Sequence, residues 1–106
     1  MMNERSEAGL LRELPGAERW LWRDAESGQG GLSEAMVRFA ARFEMARSVE
    51  DVLARRSRLL FLDAAEAAHQ AAPVATILAE ELGSGFDAEA SRASFEALAA
   101  HYRRLP

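Results

Sequence analysis

From residue 33 onward, apolar positions recur with the 3.6-residue period of helices packed on one side. Ser33 is placed to cap a helix over about Glu34 to Ala46, with Met36, Phe39, Ala40 and Phe43 at the i, i+3, i+4, i+7 spacing of one face. Met36, Phe39 and Phe43 are therefore expected in the core. Ser48, with Asp51 three residues on, opens the next element in a variant of the capping box. Val49, Val52, Leu53, Leu59 and Leu60 continue one face toward Phe61. Asp63 with Glu66 repeats the signal ahead of an alanine-rich run. Pro73 suits a first turn better than a helix interior, so 64–72 and 73–82 read as two helices or one kinked one. Val74, Ile77, Leu78 and Leu82 form a narrow stripe ending at Gly83, a natural residue for a helix terminus. Asp87 can cap a last helix with the stripe Ser91, Phe95, Leu98, Ala99 and Tyr102.

The first third is less periodic. Residues 3–14 fit a short helix ending before Pro15 and Gly16, and Glu18 to Ala25 a second, closed by the linker Ser27 to Gly31. The chain thus divides into an N-terminal segment and linker with short helices over 1–31, and a helical domain over 32–106. The fold expected is all-α, a compact bundle of about five short helices joined by brief connections.

Composition strengthens this reading. Among 106 residues there are 22 alanines, and alanine loses no side-chain entropy in a helix. There is no cysteine, which removes disulfides, thiolate metal ligands and cysteine nucleophiles and suits a reducing, cytoplasmic setting. All 13 basic residues are arginine, and the net charge is −4. Residues 33–63 are mildly basic and 64–106 acidic, a weak basis for nucleic-acid binding, which needs several clustered phosphate contacts. No stretch reaches the roughly 20 apolar residues of a spanning helix, and the charged start lacks a signal-peptide core.

Candidate chemistry is sparse. The glycine cluster SGQGGLS has Ser33 where a dinucleotide fingerprint needs its third glycine, and no predicted strand precedes it. His69 and His101 lack a second ligand at i+4 spacing, and no nucleophile elbow is present. Glu50–Asp51 and Glu80–Glu81 read as solvated faces, since helix neighbours point about 100° apart. No catalytic, cofactor-binding or metal-binding residue is assigned. The candidates for interdomain or ion-pair contacts are Asp51, Arg55, Arg56, Arg58, Trp20 and Trp22. Arg56 falls in line with Val49, Val52, Leu53 and Leu60 and needs a partner such as Glu44 or Asp63, because an unpaired buried guanidinium costs several kcal/mol. Arg55 is placed to pair with Asp51 four residues earlier. Trp20 and Trp22, two apart on the expected helix, would diverge, leaving one exposed to cover a neighbouring domain or subunit.

The block EMARSVEDVLARRSRLLFLDA, Glu44 to Ala64, carries a further signal. Together with LSEAMVRFAARFEMA before it and AAPVATILAEELG after it, it resembles the helical C-terminal domain of the FAD-dependent, respiratory glycerol-3-phosphate dehydrogenases. The similarity is strongest over Leu32 to Gly83, and extends more weakly to SEAGLLRELPG and to Ala88–Tyr102. Pro73 falls one place later than the family pattern, and Ser84 stands where an aromatic often follows the Leu-Gly pair.

The resemblance implies a parent enzyme that oxidises glycerol 3-phosphate to dihydroxyacetone phosphate, passing hydride to FAD and electrons to quinone. It implies that this chain is a non-catalytic domain with no cofactor of its own, partnering the catalytic FAD domain and stabilising it or helping it to dimerise. The parent could then associate peripherally with the inner face of the cell membrane. Met1 is compatible with a fragment or with a complete small protein. Two other readings stand beside this one: a free-standing helical module binding another protein through an apolar groove, and a helix-turn-helix in MARSVEDVLARRSRLL placing arginines on phosphates.

Overall fold

The computed structural model describes residues 7–23 and 31–103. Five α-helices dominate: α1 Glu7–Glu13, α2 Glu34–Phe43, α3 Leu59–Leu62, α4 Ala64–Leu82 and α5 Ala88–Arg103. A π-helical turn, Asp51–Arg56, precedes α3, and a 3-10 turn, Gly83–Gly85, follows α4. The all-α bundle expected from the periodicity is the fold observed.

The capping signals act where they were read. Ser33 Oγ accepts the Met36 amide at 3.2 Å, and the Met36 sulfur accepts the Ser33 amide in return. Asp63 accepts from Glu66 N and Asp87 from Ala90 N. Ser48 Oγ accepts from Asp51 N, while the Asp51 carboxylate reaches back one residue further, to Arg47 N at 2.9 Å. Gly83 closes α4 with φ 78°, a conformation glycine adopts without steric cost.

The expected helix over Glu18–Ala25 is corrected to a strand. Trp20–Arg23 (β1) pairs antiparallel with Gly31–Ser33 (β2), with an irregularity between Trp20 and Trp22. Tryptophans and a bounding glycine suit a short pleated hairpin, and the pairing supplies hydrogen bonds that an isolated eight-residue helix would lack. Residues 24–30, which include Ser27 to Gly30 of the expected linker, lie outside the described residues, as do residues 1–6, which include positions 3–6 of the first expected helix.

α2 is shorter than expected and buries a wider face. Val37, Ala40 and Ala41 enter the main core, whereas Ala35 and Phe39 join Leu14 in a second cluster beneath α1. Because α2 is covered on two sides, one stripe does not describe its burial. Phe39 is buried, but Met36 is half-buried and Phe43 is 51% exposed, correcting its expected core position. Phe43 caps the outside of Phe39, ring to ring at 5.0 Å.

The helix expected from Ser48 toward Phe61 is broken. Ser57 N donates to Val52 O in the wide π pattern, and Arg58 then turns left-handed at φ 61°. Beyond this break the sequence neighbours Leu59 and Leu60 are both in the core, at 0% and 2% exposure.

Pro73 lies inside the single helix α4 rather than at the start of a new one. Its ring removes the donor for the His69 carbonyl, and His69 is at an exposed position where water can satisfy that group. Past the proline, α4 buries Val74, Ile77 and Leu78. The alanines at 67, 71 and 75 let α5 approach closely with Phe95 and Ala99. Ser91 of α5 accepts the Val49 amide at 2.9 Å, tying the last helix to the start of the π-helical turn.

Candidate functional site: an arginine-carboxylate brace and a cleft

Two charged assemblies organise the surface of the bundle. The first is centred on Arg38, on the face of α2 that meets the end of α4. Its guanidinium contacts Glu34 at 2.6 Å, Glu80 at 2.6 Å and Glu81 at 2.7 Å. Arg42, one turn on, contacts Glu81 at 2.6 Å, and Arg19, beside β1, contacts Glu34 at 2.9 Å.

Several of these groups are well covered: the Arg38 side chain is 11% exposed and that of Glu81 7%. Burial pulls the Arg38 pKa down, but hydrogen bonds to Glu80, Glu81 and Glu34 outweigh it, so the guanidinium is held more firmly charged. Hydrogen bonds from Arg19 and then Arg38 hold the Glu34 carboxyl below the usual carboxylate value. Glu81 is lowered as well, by Arg42 first and also by Arg38, against the opposing effect of burial. The solvated-face reading of Glu80–Glu81 is therefore corrected for Glu81, whose carboxylate sits between two guanidiniums.

Gly16 completes this corner. At φ 84°, its carbonyl accepts the Arg19 amide, and a Cβ there would stand 2.4 Å from Glu34 Cδ. Glycine is required twice over, by conformation and by space.

The second assembly is a cleft of about 530 Å³ between the end of α2 and the π-helical turn. Ala40 and Ala46 line it with Met45, Glu44, Asp51, Arg55 and Arg56. The chain leaves α2 through Met45 at φ 65°, with the Ala40 carbonyl accepting the amides of both Glu44 and Ala46. Met45 is 71% exposed. Arg56 Nε lies 2.8 Å from Glu44 Oε1, with the side chain 27% exposed. Arg55 Nε is 3.8 Å from Asp51 Oδ1, and its side chain is 75% exposed.

The remaining sequence candidates lie elsewhere. Arg58 stacks on Phe61, 5.6 Å from its ring centre, and Phe61 in turn meets Tyr102 edge-on. Trp20 and Trp22 are strand residues rather than helix residues. Trp20 is 38% exposed beneath the guanidinium of Arg23, and Trp22 is half-buried against the main core. The structure thus brings Asp51, Arg55 and Arg56 together at one cleft, and leaves Arg58 and the tryptophans on other surfaces.

Sequence reasoning missed the Arg38 assembly. Its signal was present in the i, i+4 spacing of Glu34, Arg38 and Arg42, but the partners on α4 are about forty residues away and appear only once the helices pack.

No group of three or more potential metal ligands occurs among the described residues. The sheet they form is a two-stranded antiparallel hairpin, which differs from the parallel crossover that holds a dinucleotide pyrophosphate in doubly wound folds. No helix among them is long and apolar enough to cross a membrane.

Fold and site together define a small all-α domain, braced by ion pairs, with an open cleft between the end of α2 and the π-helical turn. Residues 21–90 match the family described as the C-terminal domain of alpha-glycerophosphate oxidase, and the chain belongs to that family. No curated protein and no solved structure matches the chain.

Proposed function

We propose that this chain is the non-catalytic C-terminal domain of an FAD-dependent oxidoreductase acting on glycerol 3-phosphate, and that it stabilises the catalytic part by packing against it. The observation that carries this reading is the family match over residues 21–90, which includes the arginine-rich block and the ends of the helices around it. The charged groups are consistent with it. Those around Arg38 hold α2 to α4, as bracing requires.

In the parent enzyme, FAD would accept hydride as glycerol 3-phosphate becomes dihydroxyacetone phosphate. This chain would contribute surface and rigidity. Electrons would pass onward to quinone, with the parent seated peripherally on the inner face of the cell membrane. The family description names an oxidase, and oxidase and dehydrogenase differ in their final acceptor, which the catalytic part would decide.

The reading is tested by measuring flavin content and glycerol-3-phosphate-dependent dye reduction for the 106-residue chain and for the natural flavoprotein containing such a domain. Both activities are expected in the flavoprotein and neither in the chain. Flavin copurifying at one per chain with these 106 residues alone would overturn it.

A further inference from the structure

We infer that Met45, at the exit of α2, is a site of reversible oxidation by hydrogen peroxide, and that the Arg47 guanidinium holds the resulting sulfoxide. The step transfers one oxygen atom. The thioether sulfur attacks the peroxide, an S–O bond forms as the O–O bond breaks, and sulfur gives up two electrons. The departing hydroxide takes the proton left on the new sulfur-bound oxygen and leaves as water. The assignment depends on this chain's own residues and stands apart from the function proposed above.

Access is the first requirement. The chain leaves α2 through Met45 at φ 65°, and the residue is 71% exposed, so an aqueous oxidant reaches it without any opening of the core. Met36, the other methionine among the described residues, makes the contrast. It is half-buried against the main core, and its sulfur accepts the Ser33 amide at 3.5 Å within the cap of α2. An oxygen added to that sulfur would displace the cap contact, whereas Met45 has no such bond to lose.

The second requirement is a group that receives the product. Arg47 Nη1 donates to the Ala41 carbonyl at 3.1 Å and to the Ala46 carbonyl at 2.7 Å, which fixes the guanidinium across the end of α2. Its Nη2 then lies 3.9 Å from the Met45 sulfur. A thioether is a weak acceptor, so this contact contributes little as it stands. The sulfoxide oxygen carries partial negative charge and is a strong acceptor, placed one S–O bond from the sulfur and within reach of Nη2. Oxidation exchanges the weak contact for a charge-assisted hydrogen bond.

The two methionines therefore differ in sign. A sulfoxide at Met36 would loosen the start of α2, while one at Met45 ties the exit of α2 to Arg47 and sacrifices little apolar burial. Met45 also lines the cleft beside Ala40 and Ala46, so the added oxygen turns an apolar part of its rim polar. Methionine sulfoxide reductases remove that oxygen, which makes the change reversible.

The test treats the 106-residue chain with excess hydrogen peroxide and follows each methionine by peptide mass mapping, so that Met1 and Met2 are counted separately. Met45 sulfoxide is expected to form about tenfold or more faster than that of Met36. The oxidised chain should melt about 2 °C or more above the reduced one, and treatment with reductases for both sulfoxide epimers should reverse the rise. Arg47→Ala should leave Met45 oxidisable but abolish the rise. Met45→Leu, which keeps the carbonyl contacts of Arg47, should abolish it as well, with circular dichroism confirming the helical fold of each variant. Oxidation of Met36 as fast as that of Met45 would overturn the assigned site. An oxidised chain melting at or below the reduced one, or a rise that survives either substitution, would overturn the capture by Arg47.

Discussion

Arg38 is the residue on which the contact between α2 and α4 turns, since it meets carboxylates from both helices while only 11% of its side chain is exposed. Glu34 and Glu81 have lowered pKa values in the fold. The unfolded chain therefore takes up their protons first, near the ordinary value of 4.5. Their stabilisation is fully present above that pH and is lost as pH falls through the folded values. Urea unfolding between pH 7 and pH 3 is expected to show this acid-side decline. Glu81→Gln should flatten it and lower stability at pH 7 by about 1–3 kcal/mol, because two guanidiniums lose a charged acceptor. A pH profile identical to that of the parent chain would remove Glu81 from the account. Met45 offers a change of opposite sign: Met45→Gly relieves the left-handed backbone and should raise stability by about 0.5–1 kcal/mol, read from thermal melts. The residue scale was only partly legible in the sequence. Arg55 and Asp51 could be placed near each other by their spacing of four, whereas Glu81 resembled any solvated helix acid until α4 packed against α2.

Local signals placed most elements well, because a cap and an apolar stripe act within a single turn or two. Ser33 illustrates this: its hydroxyl accepts from Met36 N at 3.2 Å at the start of α2. Ser33→Ala should cost about 1 kcal/mol, measured by denaturant unfolding, and an unchanged midpoint would show that the hairpin alone fixes the helix start. Where the element reading failed, a distant contact had overridden the local pattern. Trp20–Arg23 became a strand because Gly31–Ser33 was available to pair with it, across a stretch that sequence reasoning treated as a linker. Between Leu53 and Leu59 the regular period is interrupted by the π-helical turn and the left-handed Arg58. Pro73 stayed inside α4 because packing on both sides of it, through Ala71 and Val74, outweighs one missing hydrogen bond. The largest fully buried side chain is Phe95, held by α5 against the small residues of α4. Phe95→Ala should destabilise the domain by about 3–5 kcal/mol, enough to consume much of the stability of a chain this size.

At the scale of the whole molecule, the bundle has a main core and a smaller cluster beneath α1, and commits the covered charges around Arg38 to holding two helices together. What remains exposed is uneven: an open cleft beside Met45 and Arg55, an aromatic corner at Phe61 and Tyr102, and Trp20 on the hairpin. Such a distribution suits a domain that works against another surface, and the family to which it belongs is defined as the terminal domain of a larger oxidase. The central claim is that this chain serves a flavin-dependent catalytic part. Its most direct test is to sequence the coding DNA upstream of the Met1 codon in the source genome. An in-frame extension encoding a flavin-binding strand-helix-strand unit is the result this account expects. A stop codon in that frame, with no flavoprotein copurifying with the chain, would contradict it.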